Sequence, residues 1–156
     1  MTDPGNKKFT FGTKAETLSR LDGKLKKCTI PKLFHFTVKE WHDDRKKILE
    51  TLKLSFKDSI LIVRSSAANE DSSHTAMAGE YLSIPNISSS NLKEVIASVD
   101  EVIESYSKLG NIASMYDQIL IQEMALDVSM SGVLFTKDMN SGAPYYVINY
   151  DDETGR

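Results

Sequence analysis

Ser59-Ile60-Leu61-Ile62-Val63-Arg64-Ser65-Ser66-Ala67 is the stretch on which the fold turns. Its apolar run, Ser59 to Val63, has the length of a strand and the unbroken hydrophobicity of one covered on both faces. The run ends in Arg64, and a small, polar, hydroxyl-rich loop is expected from there to about Gly79, with the next strand at Tyr81 to Ile84. A buried strand that delivers an arginine and two hydroxyls at its C-terminal end does so where α/β folds place ligands. Arg64 can grip phosphate oxygens bidentately, and Ser65 and Ser66 can add hydrogen bonds. A strand-end arginine serves equally well as the surface partner of Glu70 or Asp71, and the residues leave both readings open.

Outward from this strand, the chain alternates helical and extended patterns. Thr13 and Glu16 form a T-x-x-E capping box for a helix from about Lys14 to Leu21, with Ala15, Leu18 and Leu21 as its apolar stripe and Asp22-Gly23 as its stop. Leu33 to Phe36 reads as a short strand. Thr37-x-x-Glu40 opens a charged helix to about Lys53, with Val38, Trp41, Ile48 and Leu52 on its buried side. Asn91 and Glu94 cap a third helix whose Leu92, Val95, Ile96, Val99, Ile103 and Tyr106 recur with a period near 3.6. Ile119 to Met124 is a strand, and Val133–Thr136 and Tyr145–Asn149 flank the turn residues Asp138 to Gly142 as a hairpin. Together these predict an α+β fold with a mixed, partly antiparallel sheet flanked by helices.

Composition narrows the function. At 156 residues and 40% hydrophobic, the chain can bury a core and is not of the disordered class. Its 22 acidic against 19 basic residues, without a Lys/Arg block, exclude a basic nucleic-acid binder. No apolar run approaches the roughly 18 residues of a membrane span, and no signal-peptide pattern opens the chain. The single Cys28 forms no internal disulfide, so a reducing, cytoplasmic setting is expected. Residues 1–8 read as a tag remnant or disordered start.

Two further segments could carry chemistry. In Phe11-Gly12-Thr13-Lys14-Ala15 a glycine precedes a helix start, whose backbone N–H groups and dipole suit a phosphate. Lys14 adds a point charge there, although such short Gly-x-Lys matches are common and solvent could be all it meets. Gln122-Glu123 interrupts an apolar strand and could present polar groups to a base or ribose, while simple alternation explains the pair nearly as well. His35, His42 and His74 show no metal-ligand spacing, and His74 sits in a polar loop as an exposed residue would. There is no P-loop, no Gly-x-Ser-x-Gly elbow, and no nucleophile–base set.

Taken in order, Gly12-Thr13-Lys14, Ile30-Pro31, Phe36-Thr37, Val63-Arg64-Ser65-Ser66-Ala67, Ala78-Gly79-Glu80-Tyr81, Gln122-Glu123-Met124 and Ser131-Gly132-Val133-Leu134-Phe135-Thr136 resemble the N-terminal nucleotide-binding domain of the pyruvate phosphate dikinase and phosphoenolpyruvate synthase family, from about Phe11 to Asn149. The resemblance implies an ATP-grasp fold that clamps ATP and Mg²⁺ between two subdomains. It matches Lys14 and Arg64 to the residues on the phosphate tail, and Gln122, Glu123 and Met124 to the segment along adenine and ribose. Ser65, Ser66 and Gly79 fall in flanking loops. It further implies that phosphate passes from ATP through a histidine on another domain to a small-molecule acceptor. His74 lacks the paired-glycine motif of that histidine. Tyr150-Asp151-Asp152-Glu153-Thr154-Gly155-Arg156 departs from the Trp/Gly-rich dikinase pattern and points to a branch resembling rifampicin phosphotransferases or capsule glutamine kinases. The chain is then expected to be the first part of the ATP domain, inactive alone, with metal ligands beyond its C-terminus. The alternative is a non-catalytic nucleotide-binding or interaction module on the same fold, in which Lys14 and Arg64 pair with neighbouring acids.

Overall fold

A computed structural model describes residues 9–67, 82–108 and 114–153. Glu70, Asp71, His74, Gly79 and Tyr81 lie outside the described residues, as do residues 1–8. The chain divides into two compact units, Met1–Met124 and Ala125–Arg156.

In the first unit, α1 (Lys14–Leu21), β1 (Leu33–Thr37), α2 (Val38–Ser55), β2 (Ile60–Ser66), β3 (Ser83–Ser88), α3 (Leu92–Lys108) and β4 (Gln118–Glu123) follow in chain order. The strands form one sheet in the order β1-β4-β2-β3, and every pairing among the described strands is antiparallel. This corrects the reading of β2 as a strand covered alike on both faces. Its burial alternates: Leu61, Val63 and Ser65 are buried, whereas Ile60, Ile62 and Arg64 are half-buried. The strand also runs on through Arg64, Ser65 and Ser66, which the sequence placed in a loop. Pairing with β4 through Ser66↔Gln118 extends it, an interaction that strand length and hydropathy do not report.

One face of the sheet carries the core. Phe36, Leu61, Val63, Ile119 and Ile121 meet Val38, Trp41, Ile48 and Leu52 of α2, together with Val95, Val99, Val102 and Tyr106 of α3. The four buried residues expected on α2 are the four observed, and both halves of its Thr37/Glu40 capping box are present. Non-helical Asp44 kinks α2, and its carboxylate accepts the Lys47 N–H at 3.0 Å as an internal cap. Asp100 anchors α3 to α2 by accepting from Trp41 Nε1 at 2.8 Å and Arg45 at 2.9 Å. The edge strand β3 runs past Pro85 to Ser88, four residues beyond the expected end at Ile84. The register slips between Leu61 and Val63, opposite Pro85 and left-handed Asn86 (φ 64°), a bulge suited to a residue lacking N–H on an edge.

α1 has only Ala15 fully buried; Leu18 and Leu21 are half-exposed, so the expected three-residue stripe contracts to one contact. In the second unit, β5 (Ser131–Phe135) and β6 (Val147–Asp151) form an antiparallel hairpin. Its turn is held by Asp138, whose carboxylate accepts from Ser141 N at 2.9 Å and from the Ser141 hydroxyl. Gly132 is required by proximity: a Cβ there would stand 2.5 Å from the Asn149 carbonyl oxygen.

Candidate functional site

The antiparallel register sorts the candidate residues by face. His35, Leu120, Arg64 and Ser83 form one transverse row across the four strands, and Thr37, Gln118 and Ser66 form the next. Leu33, Gln122 and Ile62 lie in the row on the other side of Arg64. Because cross-strand partners point the same way, Arg64, Ser66 and Gln122 share the face opposite the core. Ser65 and Glu123 point to the core side. The structure thus divides the proposed ligand set that sequence order had grouped together.

α1 lies against this second face. The Ala15 N–H donates to Ser66 Oγ at 2.9 Å, and Lys14 Nζ reaches the Ser65 carbonyl at 3.5 Å. The last residues of β2 therefore hold the lysine and the arginine near one another, although fifty residues separate them in sequence. The Arg64 side chain is half-buried, and its Nε is enclosed without a hydrogen-bond partner among the described residues. Arg64 also makes no ion pair among the described residues. A buried guanidinium N–H left in this state is the kind of group an anionic oxygen satisfies.

Two expectations require correction. The backbone N–H groups at the start of α1 were read as free to hold phosphate. Instead, Ala15 N–H is taken by Ser66, and Glu16 N–H donates to Thr13 Oγ at 3.2 Å. Those two amides are therefore already bonded within the domain. Ser65 is likewise no loop donor: it lies in β2, buried on the core side, with its hydroxyl unpartnered among the described residues.

The Gln122–Met124 segment is also committed to the sheet. Glu123 N–H donates to the Lys32 carbonyl at 2.8 Å and Met124 N–H to that of Ile60 at 2.9 Å. Glu123 accepts the Ser59 hydroxyl at 2.6 Å on the core side. Gln122 presents its side chain to the Arg64 face, where its amide lies 3.4 Å from the Pro31 carbonyl, and Met124, two residues on, follows it to that side. Two rows of strand rise, about 7 Å, separate Gln122 from Arg64 along the sheet. Gly79 lies outside the described residues.

Gln118, Tyr106 and Thr13 were not expected at this place. Gln118 Oε1 accepts from Thr13 Oγ at 2.7 Å, and its Nε2 donates to Glu16 Oε1 at 3.2 Å. Tyr106 reaches across from α3, its hydroxyl accepting from Ser66 N–H at 3.1 Å and donating to the Gln118 carbonyl at 2.5 Å. The only sequence signal was the T-x-x-E box. Its reciprocal half is replaced, since the Glu16 carboxylate turns to Gln118 and Arg20.

Among the described residues three cavities lie elsewhere: one of about 370 Å³ between the end of α2 and the start of α3, one of about 330 Å³ beside β1 and α2, and one of about 470 Å³ along Arg45, Leu49 and Leu92. None of Lys14, Arg64 or Gln122 lines any of them. Among the described residues, no group of three or more His, Cys, Asp or Glu stands together to hold a metal, and no helix is long and apolar enough to cross a membrane.

An α+β domain with a lysine at the end of β2, beside an arginine whose Nε lacks a partner among the described residues, has the makings of a nucleotide-phosphate binder. The chain belongs to the family described as pyruvate phosphate dikinase, AMP/ATP-binding domain, whose model matches residues 14–151. It is thereby the ATP/AMP-binding portion of a dikinase-like, kinase-type enzyme. No curated protein and no solved structure matches the chain.

Proposed function

We propose that this chain holds the phosphate tail of ATP between Lys14 and Arg64, with the base and ribose extending toward Gln122. The observation that carries this reading is the enclosed Nε of Arg64, without a hydrogen-bond partner among the described residues, at the strand end that Lys14 reaches. Planar guanidinium donors match a phosphate edge, and the lysine supplies a compact second charge. Phosphoryl transfer asks mainly for such positioning and charge neutralisation. Magnesium carried with ATP would add to that neutralisation. What these residues themselves do is bind and orient the polyphosphate. Glu123, turned to the core side, supports the strand rather than the nucleotide.

In the parent kinase, ATP would phosphorylate a histidine on another domain, which would then hand the group to a small-molecule acceptor. The departure of Tyr150–Arg156 from the dikinase pattern supports a branch resembling rifampicin phosphotransferases or capsule glutamine kinases.

Titration calorimetry of the 156-residue chain with ATP and with adenosine tests the phosphate site. Arg64→Ala should weaken ATP by at least about tenfold, the equivalent of one charge-assisted hydrogen bond, and leave adenosine unchanged. Arg64→Lys should recover only part of that loss, because the bidentate fork is gone. Equal ATP affinity in wild type and Arg64→Ala would sink the assignment.

A further inference from the structure

We infer that Gln118 is a positioning residue of the phosphate site: its carboxamide clamps α1 to the end of the sheet and so fixes where Lys14 stands. The inference rests on the proposed phosphate role of Lys14. The residues on both sides of Lys14 are tied down. Thr13 donates to Gln118 Oε1 at 2.7 Å, Ala15 N–H donates to Ser66 Oγ at 2.9 Å, and Glu16 accepts from Gln118 Nε2 at 3.2 Å. Gln118 and Ser66 are register partners and both are buried.

Helix α1 cannot supply this order itself. It has eight residues, short of the roughly 12–15 at which isolated helices become even marginal. Its apolar anchorage is the single buried Ala15. Its placement therefore depends on the polar clamp. Gly12 fits the same picture, since a Cβ there would lie 2.1 Å from Glu16 Oε2, the other oxygen of the carboxylate Gln118 holds.

The chemistry of the clamp selects glutamine. Thr13 Oγ accepts from Glu16 N–H and spends its proton on Gln118, while the Glu16 carboxylate only accepts. The group between them must accept on one side and donate on the other, which a carboxamide does and a carboxylate or an alkyl group does not.

Gln118→Glu is the isosteric test, since it sets two carboxylates against each other. Adding Glu16→Gln restores one donor and one acceptor with the polarity reversed. Two readouts are taken on the whole chain: amide exchange at Ala15 and Glu16 without nucleotide, and ATP affinity by calorimetry beside adenosine. Gln118→Glu should speed exchange at those two amides by about tenfold or more, the scale of one lost hydrogen bond, with Val99 and Ile119 unchanged. It should also weaken ATP by a similar factor without affecting adenosine, and the double variant should recover both. If Gln118→Glu does not fold, Thr13→Val removes the clamp's other hydrogen bond, from the Thr13 hydroxyl to Gln118 Oε1, without touching β4; because it also takes the acceptor from Glu16 N–H, exchange is then read at Ala15 alone, with the same expectation for ATP. Unchanged exchange in the single variant, or no recovery in the double, overturns the clamp. Faster exchange with undiminished ATP affinity overturns the positioning role. A wild-type chain that ignores ATP removes the phosphate reading and this assignment together, while the exchange data still decide separately whether the clamp exists.

Discussion

Tyr106→Phe removes one oxygen from the centre of the structure and little else. The ring of Tyr106 is buried in the core, and its hydroxyl bridges two backbone groups, the Ser66 N–H at 3.1 Å and the Gln118 carbonyl at 2.5 Å. Ser66 is 0% exposed, so no water can replace the lost acceptor. The Gln118 carbonyl loses a donor as well, but the orphaned N–H dominates. Phenylalanine keeps the apolar volume, so no large cavity adds to the cost. One buried donor left unsatisfied costs about 1–3 kcal/mol, and a value near 2 kcal/mol is expected here. With a urea m-value of about 2 kcal/mol/M, the unfolding midpoint should fall by about 1 M. The melting temperature should fall by about 4–8 °C for a chain of this size. Urea titrations followed by circular dichroism measure the difference, with Tyr116→Phe, at a residue 78% exposed, as the silent control. If Tyr106→Phe falls within about 0.5 kcal/mol of wild type, as ordinary surface changes do, the hydroxyl is not bridging the strand ends.

Gly132→Ala should destabilise the hairpin of the second unit by about 1–3 kcal/mol, because the added methyl meets the Asn149 carbonyl oxygen at 2.5 Å and backbone cannot swing aside as a side chain can. Loss of cross-strand contacts between Val133 and Asn149 in NMR spectra would report it, and an unaltered hairpin would count against the close approach. The Glu40 carboxyl is held below its ordinary value, chiefly by the hydrogen bond from Thr37 N–H and then by that from the Thr37 hydroxyl. Its charge therefore contributes stability that is present above the unfolded value, about 4.3, and lost as pH falls through the lower folded one. The stability gap between wild type and Glu40→Gln should be full at pH 7 and close below that window. A gap that stays constant with pH would mean the capping box does not depend on the charge.

Local chemistry made much of the fold legible. The α2 capping box, its four buried positions and the α3 period are properties of neighbours within a few turns, and the structure repeats them. What escaped was anything closed over distance. Arg64–Ser66 looks like a loop because hydroxyls carry no strand hydropathy, yet pairing with Gln118 to Leu120 makes it strand. Val102 was missed on α3 because its neighbours already completed a plausible stripe. Gln118 could not be singled out, since its partners Thr13 and Glu16 lie more than a hundred residues away.

By itself, the sequence determined which segments are helical or extended, the α+β class, and the motif order by which the family is recognisable. Those follow from period, caps and turn residues, which act over a few positions. Tertiary structure decided which candidates share a face. A strand alternates sides at every residue, so Ser65 and Glu123 fall away from Arg64 and Gln122 once the register is set. It also decided that the α1 amides are already bonded and that Lys14 stands beside the end of β2, because only folding brings Ser66 and Gln118 to that helix.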